Sequence, residues 1–205
     1  LDPRSTFRSR IFHIFCLFYR YGYRTLEVEF EVSFGGEDLA WITVELAPID
    51  EMPHTVFMFM EQVAQGLYNN GGFSFHHNSD HIVMGAPISN HLTPDGVDNL
   101  EKFNFHGISN VLLQEYSPNF PHQPYTLGLA GRPSGPDFYI NINDNTNVHG
   151  PGGYAADGQA DPCFARITRG KEIIDRIHGM SGELREGDWK DIDPLVAIRS
   201  AKILS

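Results

Sequence analysis

Gly131-Arg132-Pro133-Ser134-Gly135-Pro136-Asp137-Phe138-Tyr139-Ile140 is the stretch on which the fold turns. Its first six residues are turn chemistry, since glycine and proline dominate them. Its last residues start a short aromatic and β-branched run, Phe138 to Ile142, with strand character. A second short run, Tyr125 to Ala130, precedes the turn. The segment therefore predicts two short strands joined by a rigid connector.

The same alternation of short strands and turns runs outward in both directions. Leu26-Glu27-Val28-Glu29-Phe30-Glu31-Val32 alternates apolar and acidic residues, the period of a half-buried strand. Gly35-Gly36 turns the chain into Trp41-Ile42-Thr43-Val44-Glu45-Leu46. Phe73 to Phe75, Ile82 to Met84, Val111 to Leu113, Cys163 to Ile167 and Val196 to Leu204 are further strand candidates. Two segments have helical spacing instead. Pro53 opens one, with Val56, Phe59, Met60, Val63 and Leu67 on a single stripe and Asn69-Asn70-Gly71-Gly72 as its stop. Asp50 and Glu51 stand where that helix dipole favours negative charge. The other is Lys171 to His178, where Ile173, Ile174 and Ile177 share a face and Gly179 ends it. Residues 86–110 and 143–161 read as irregular. About eight short strands and two helices favour a closed barrel or a sandwich.

Charge is divided unevenly. The 205-residue chain carries a net charge of −11. Residues 1–24 hold five arginines and one acid, whereas the remaining 181 residues hold 10 basic and 25 acidic side chains. An acidic body lacks the positive face that phosphate attraction requires, so no nucleic-acid partner is expected. Residues 1–25 form a basic, aromatic extension and residues 26–205 the domain. Ile11 to Tyr19 is apolar but too short to span a bilayer, which takes about 20 residues as a helix. An added strand or packed extension leads the readings of this run. Disorder and membrane contact through residues 8–20 are the others; the contact, as an interfacial segment or the remnant of an anchor, would make the protein membrane-associated or secretory. Two cysteines, Cys16 and Cys163, do not make a disulfide framework. Both sit in apolar surroundings, where a free thiol is commoner than a bridge.

Several segments resemble cyclophilin-type peptidyl-prolyl cis-trans isomerases in order and spacing. Met52-Pro53-His54-Thr55 with Phe59 resembles the first-helix motif, Phe75-His76 the Phe-His pair, and Leu129-Ala130-Gly131 the Met-Ala-Asn segment. Gly135 to Ile140 resembles Gly-Ser-Gln-Phe-Phe-Ile. Asp157-Gly158 with Phe164-Ala165-Arg166-Ile167, Gly170 to Ile177, and Val196-Ala197-Ile198 complete the series. The resemblance covers residues 40–204 and implies a mainly β fold: a closed eight-stranded antiparallel barrel capped by two helices.

It also implies a proline-containing polypeptide as partner and a site to hold it. Prolyl isomerisation breaks no bond and has only to lower a rotational barrier of about 18–20 kcal/mol. Such a site binds the twisted amide better than either planar form. An apolar pocket takes the ring and a donor favours the pyramidal prolyl nitrogen. The family's donor is an arginine following the Phe-His pair; here that position is His77. Imidazole is shorter and mostly neutral at pH 7, and does not replace a permanent guanidinium. Three readings stay open: slow catalysis with His77 as a weak donor, binding without catalysis, and an exposed polar residue in a drifted site. The remaining site positions map to Phe75, Ile82, Val83, Met84, Ala130, Asp137, Tyr139 and Asp161. The register across residues 77–86 is open by one position. Ile82, Val83 and Tyr139 read equally well as ordinary barrel core. Asp137 replaces a glutamine and Tyr139 a phenylalanine. The family tryptophan has no match near Ala155 and Ala156, which implies weak or no cyclosporin binding.

The function expected is a cyclophilin-like domain binding proline-containing segments, with weakened isomerase activity. The alternative is a non-catalytic scaffold subunit docking through the barrel and the N-terminal arm. His76, His77, Asp80 and His81 cluster within six residues, but lack further ligands at diagnostic spacing, and read as solvated polar residues. Asn141, Asn143 and Asn145 lack the glycine and terminal glutamate of a calcium loop. No cofactor or metal is expected.

Overall fold

The computed structural model describes residues 3–22, 24–69, 73–78, 82–87, 99–111, 113–131, 133–153, 159–180, 182 and 189–204. The element order is α1 (Pro3–Tyr21), β1 (Glu27–Phe34), β2 (Asp38–Leu46), α2 (Pro53–Ala64), β3 (Phe73–Asn78), β4 (Ile82–Pro87), α3 (Asn99–Phe105), β5 (Thr126–Leu129), β6 (Phe138–Asn141), α4 (Thr146–His149), β7 (Cys163–Arg169), α5 (Lys171–His178), β8 (Trp189–Asp191) and β9 (Val196–Leu204). The protein is mainly β, with one curled antiparallel sheet in the order β4-β6-β5-β7-β2-β1-β9-β3-β8 and a further β3–β4 pairing.

This corrects the expectation of a closed eight-stranded antiparallel barrel capped by two helices. The described sheet has nine strands, and five helices accompany it. β1 pairs with β9 over eight residues, whereas β3 meets β9 only through Ser74 opposite Ala197. The short β8 takes up the rest of that edge of β3, pairing His76 with Asp191 and His77 with Lys190. Val111 forms one bridge with Ser134 rather than a strand, and Leu112 lies outside the described residues.

Alternation along the strands builds the interior. Val28, Phe30 and Val32 of β1, Ile42 and Val44 of β2, and Val196 and Ile198 of β9 are buried together. Phe30 is the meeting point. Its ring lies 5.7 Å from Phe138, 6.0 Å from Tyr68 and 6.2 Å from Phe59. Helix α2 closes one end with the stripe predicted for it, Val56, Phe59, Met60 and Val63 all buried. Helix α5 buries Ile174 and Ile177, begins after Gly170 in the left-handed region (φ 89°) and ends at Gly179.

The residues before β1 are not the added strand named first in the leading expectation. They form a 19-residue helix rather than a strand. Helix α1 packs on α2 as an extension of the body, with Leu17 1% exposed. Polar groups fasten it. The Arg10 guanidinium donates to the carbonyls of Asp50 (2.6 Å) and Glu51 (3.3 Å). Arg20 pairs with Glu61. His13 stacks on Phe57 at 4.3 Å, and its Nδ1 lies 2.8 Å from Nδ1 of His54. Burial holds both imidazoles below their usual range, His54 down to about 4. Both cysteines are free, and burial pushes the Cys163 thiol up to about 12.

The start of α2 is satisfied from far away in sequence. Its Met52 N-cap makes no side-chain cap. The Glu115 carboxylate instead accepts from Thr55 N (2.8 Å) and Thr55 Oγ1 (2.9 Å). Glu51, expected at the dipole, accepts from the Ser117 hydroxyl. Glu115 thus does the capping work usually given to the residue before a helix. Replacing Glu115 with Ala is expected to lower unfolding free energy by about 1–2 kcal/mol in urea titrations. Glu115→Gln, which keeps an acceptor, is expected to lose less than half of that.

Candidate functional site

Strand β6 carries two aromatic rings pointing opposite ways. Phe138 and Ile140 belong to the main core with Val83, Leu127 and Leu129. Tyr139, between them, lies on the outer face of the sheet yet is only 2% exposed. Its ring lies over Gly128 on β5, where any Cβ would overlap it. Glycine at 128 is what lets the ring lie flat on the strand.

A polar layer covers that ring. The Tyr139 hydroxyl donates to Asp161 Oδ2 at 3.1 Å, and His149 Nδ1 donates to the same oxygen at 3.0 Å. The His149 ring stacks on Tyr139 at 4.5 Å. His122 lies behind them, 5.9 Å from the Tyr139 ring and 6.3 Å from Tyr116. Its Nε2 is 3.1 Å from the Asp161 carbonyl. A carbonyl only accepts, so His122 carries its proton on Nε2. Burial, with His149 beside it, lowers His122 to about 4 and keeps it neutral at pH 7. The Cys163 thiol, next on the same outer face, donates to Pro121 O at 3.4 Å.

Register places the other site candidates. Met84 stands opposite Tyr139, and Tyr139 opposite Gly128. Met84 is half-buried, Ile82 is 8% exposed opposite Asn141, and Val83 lies in the main core. Asp161 converges on Tyr139 directly. Ala130 and Asp137 meet through the backbone at the mouth of the connector, where Ala130 N donates to Asp137 O at 2.9 Å. Burial pushes the Asp137 carboxyl up to about 6. The side chains of Phe75, His76 and His77 lie outside the described residues, as do all of Asp80, His81, Ala155 and Ala156. The β3 backbone is described. His77 stands opposite Val83, and His76 opposite Met84. Paired residues share a face of a sheet, so the row of Tyr139 and Met84 runs through position 76. Position 77 belongs to the row of Val83.

Three contributors went unread in the sequence. His149 sits in a segment read as irregular, and Tyr116 and His122 lie between the strand candidates at 111–113 and 125–130. No local pattern marks them, because a strap and the single-turn α4 bring them together. Asn141 and Asn145, discounted as cation ligands, are buried and bonded to each other, with Asn145 Nδ2 2.9 Å from Asn141 Oδ1. Among the described residues no group of three or more His, Cys, Asp or Glu side chains could hold a metal ion.

Among the described residues the arrangement contains no activated nucleophile. It offers a layer of fixed dipoles seated on a buried tyrosine, edged by a half-buried thioether, which is binding chemistry. Two titrations oppose each other within it. His122 is depressed from about 6.5 to about 4 in the fold, so its stabilising share is present above pH 6.5 and is lost as pH falls toward 4. Asp137 is raised from 3.8 to about 6, so stability falls as pH rises through that window. Asp137→Asn is expected to raise unfolding free energy at pH 7.5 by about 1–2 kcal/mol. That gain vanishes in melts at pH 4, where both forms are neutral.

A family model described as cyclophilin type peptidyl-prolyl cis-trans isomerase matches residues 29–203. The chain is also similar to the peptidyl-prolyl cis-trans isomerase cyp18 of Streptomyces antibioticus, 30% identical over 161 residues that make up 75% of this chain and 87% of the relative.

Proposed function

This chain belongs to the cyclophilin-type peptidyl-prolyl cis-trans isomerase family, and from that premise we propose that it binds proline-containing segments over the outer face of β4, β6 and β5, with weakened isomerase turnover. The observation that carries this reading is the wiring of Tyr139. The buried ring is locked on the sheet as a floor, its hydroxyl held by Asp161 and its outer face covered by His149, and this fixes the polar layer above it. Met84, opposite it in register, and Ala130 at the end of β5 supply an apolar rim for a pyrrolidine ring.

Turnover needs more than a platform. A permanent cation near the prolyl nitrogen favours its pyramidal form, and neither position 76 nor position 77 supplies one. His122 is neutral and already donates to a carbonyl. The groove therefore holds the substrate in both planar forms nearly as well as in the twisted one, which lowers KM without raising kcat. The missing tryptophan and the acid at Asp137 favour weak or no cyclosporin binding on the same grounds.

Exchange between cis and trans forms of a proline peptide, followed by NMR at substoichiometric protein, tests both halves. Peptide shifts with slow exchange are expected. Absence of any shift would overturn the binding half, and turnover at the rate of an arginine-bearing relative would overturn the weakened-activity half. The register predicts that His76→Arg raises the exchange rate about tenfold, the worth of one charge-assisted hydrogen bond of roughly 1.4 kcal/mol. His77→Arg is expected to do less. The reverse order would show that the register of β3 against β4 misplaces the donor.

A further inference from the structure

Helix α1 is apolar on two sides. One side, through Leu17 and the half-buried Ile14 and Phe18, packs on the body. The other leaves Ile11 51%, Phe12 60%, Phe15 67% and Tyr19 86% exposed. These four fall at i, i+1, i+4 and i+8, a single stripe of a 3.6-residue helix. A surface helix of a soluble domain ordinarily turns charge outward. Here two of its arginines, Arg10 and Arg20, are engaged with the body, and the aromatics face away.

The charge on this face has one sign. Helix α1 contains no acidic residue. Arg8, one turn before Phe12, is exposed on the aromatic side, and Arg4 occupies the same helical register one turn earlier. The body behind carries a strong negative excess. An anionic surface therefore attracts the outer face of α1 and repels the remainder, which fixes orientation as well as affinity.

Area separates the occupants. Aromatic side chains present about 150–250 Å² each, so at these exposures the stripe offers on the order of 500 Å². A stable protein interface needs about 800 Å² per partner. An interfacial helix needs only a stripe that sinks to the headgroup boundary beside cationic residues. No described helix is long and apolar enough to cross a membrane, so contact here is peripheral.

We propose that α1 docks this protein on anionic lipid surfaces, lying in the headgroup plane with Phe12, Phe15 and Tyr19 inserted and Arg8 paired with lipid anions. The proposal is independent of the groove over Tyr139. Its test is co-sedimentation of the full chain with vesicles of phosphatidylcholine alone and of phosphatidylcholine with phosphatidylserine, at low and high salt. Binding is expected to need phosphatidylserine and to weaken with salt. Phe15→Ser combined with Tyr19→Ser is expected to lower the partition coefficient at least tenfold, since two inserted rings are lost. Arg8→Glu should abolish the preference for phosphatidylserine. These side chains are exposed, so the variants should keep the parent melting curve, measured alongside. Partition that ignores phosphatidylserine, or that the double variant leaves unchanged, overturns the proposal. So does sedimentation in free solution showing a dimer that the double variant dissociates, because the stripe would then be covered by a second copy.

Discussion

Two consecutive rings on β6 must go to opposite sides of one sheet, and the organisation of this protein follows from that. Phe138 turns inward and lies on Gly85 of β4, while Tyr139 turns outward and lies on Gly128 of β5. Strand neighbours are less than 5 Å apart, so a ring can lie flat across the next strand only where that strand has no side chain. Each glycine notch fixes one aromatic layer. The inner one is the cluster of Phe30, Phe59, Tyr68, Phe138 and Phe164. The outer one is Tyr139 with His122, His149 and Tyr116. A shift of β6 by one residue would exchange the layers and remove both notches from their rings.

The inner layer is apolar and held by area and packing. The outer layer is held by directed bonds around Asp161, and its members come from a strap, a single-turn helix and a strand end. Fixed dipoles of this kind position a ligand well and polarise it little. That balance supports the proposal of a peptide-binding face with reduced catalytic drive. It also makes this face responsive to acid, since the burial that keeps His122 neutral opposes any proton it takes up.

Much of the fold could be read from the chain because its strands are short, alternating and punctuated by glycine and proline. Gly135 to Ile140 announced β6 and its connector, and the stripe from Val56 to Val63 announced α2. Where prediction failed, the controlling contact was distant or the local signal had two meanings. Ile11 to Tyr19 is apolar at nearly every position, so neither the period of a strand nor that of a helix stands out. Its helical state follows from a seat for Leu17 in the buried core and one for Arg10 on the carbonyls just before α2, the latter 40 residues away. Glu115 caps a helix that begins some 60 residues before it. Tyr139 was legible as a strand aromatic, but its contact with His149 was not, because nothing in Thr146-Asn147-Val148-His149 signals that its ring will land on a tyrosine.

Glu51 is tied at both ends. Its carbonyl is held by Arg10 of α1, and its carboxylate by Ser117 and Asn119 at the start of the strap that runs on to His122. The N-terminal helix is therefore not a detachable leader as far as the groove is concerned. A shortened version lacking it would hand two carbonyls from Arg10 to water, uncover a patch on α2 and leave the strap with one anchor less firmly held. Ligand affinities measured on such a fragment would describe a different protein.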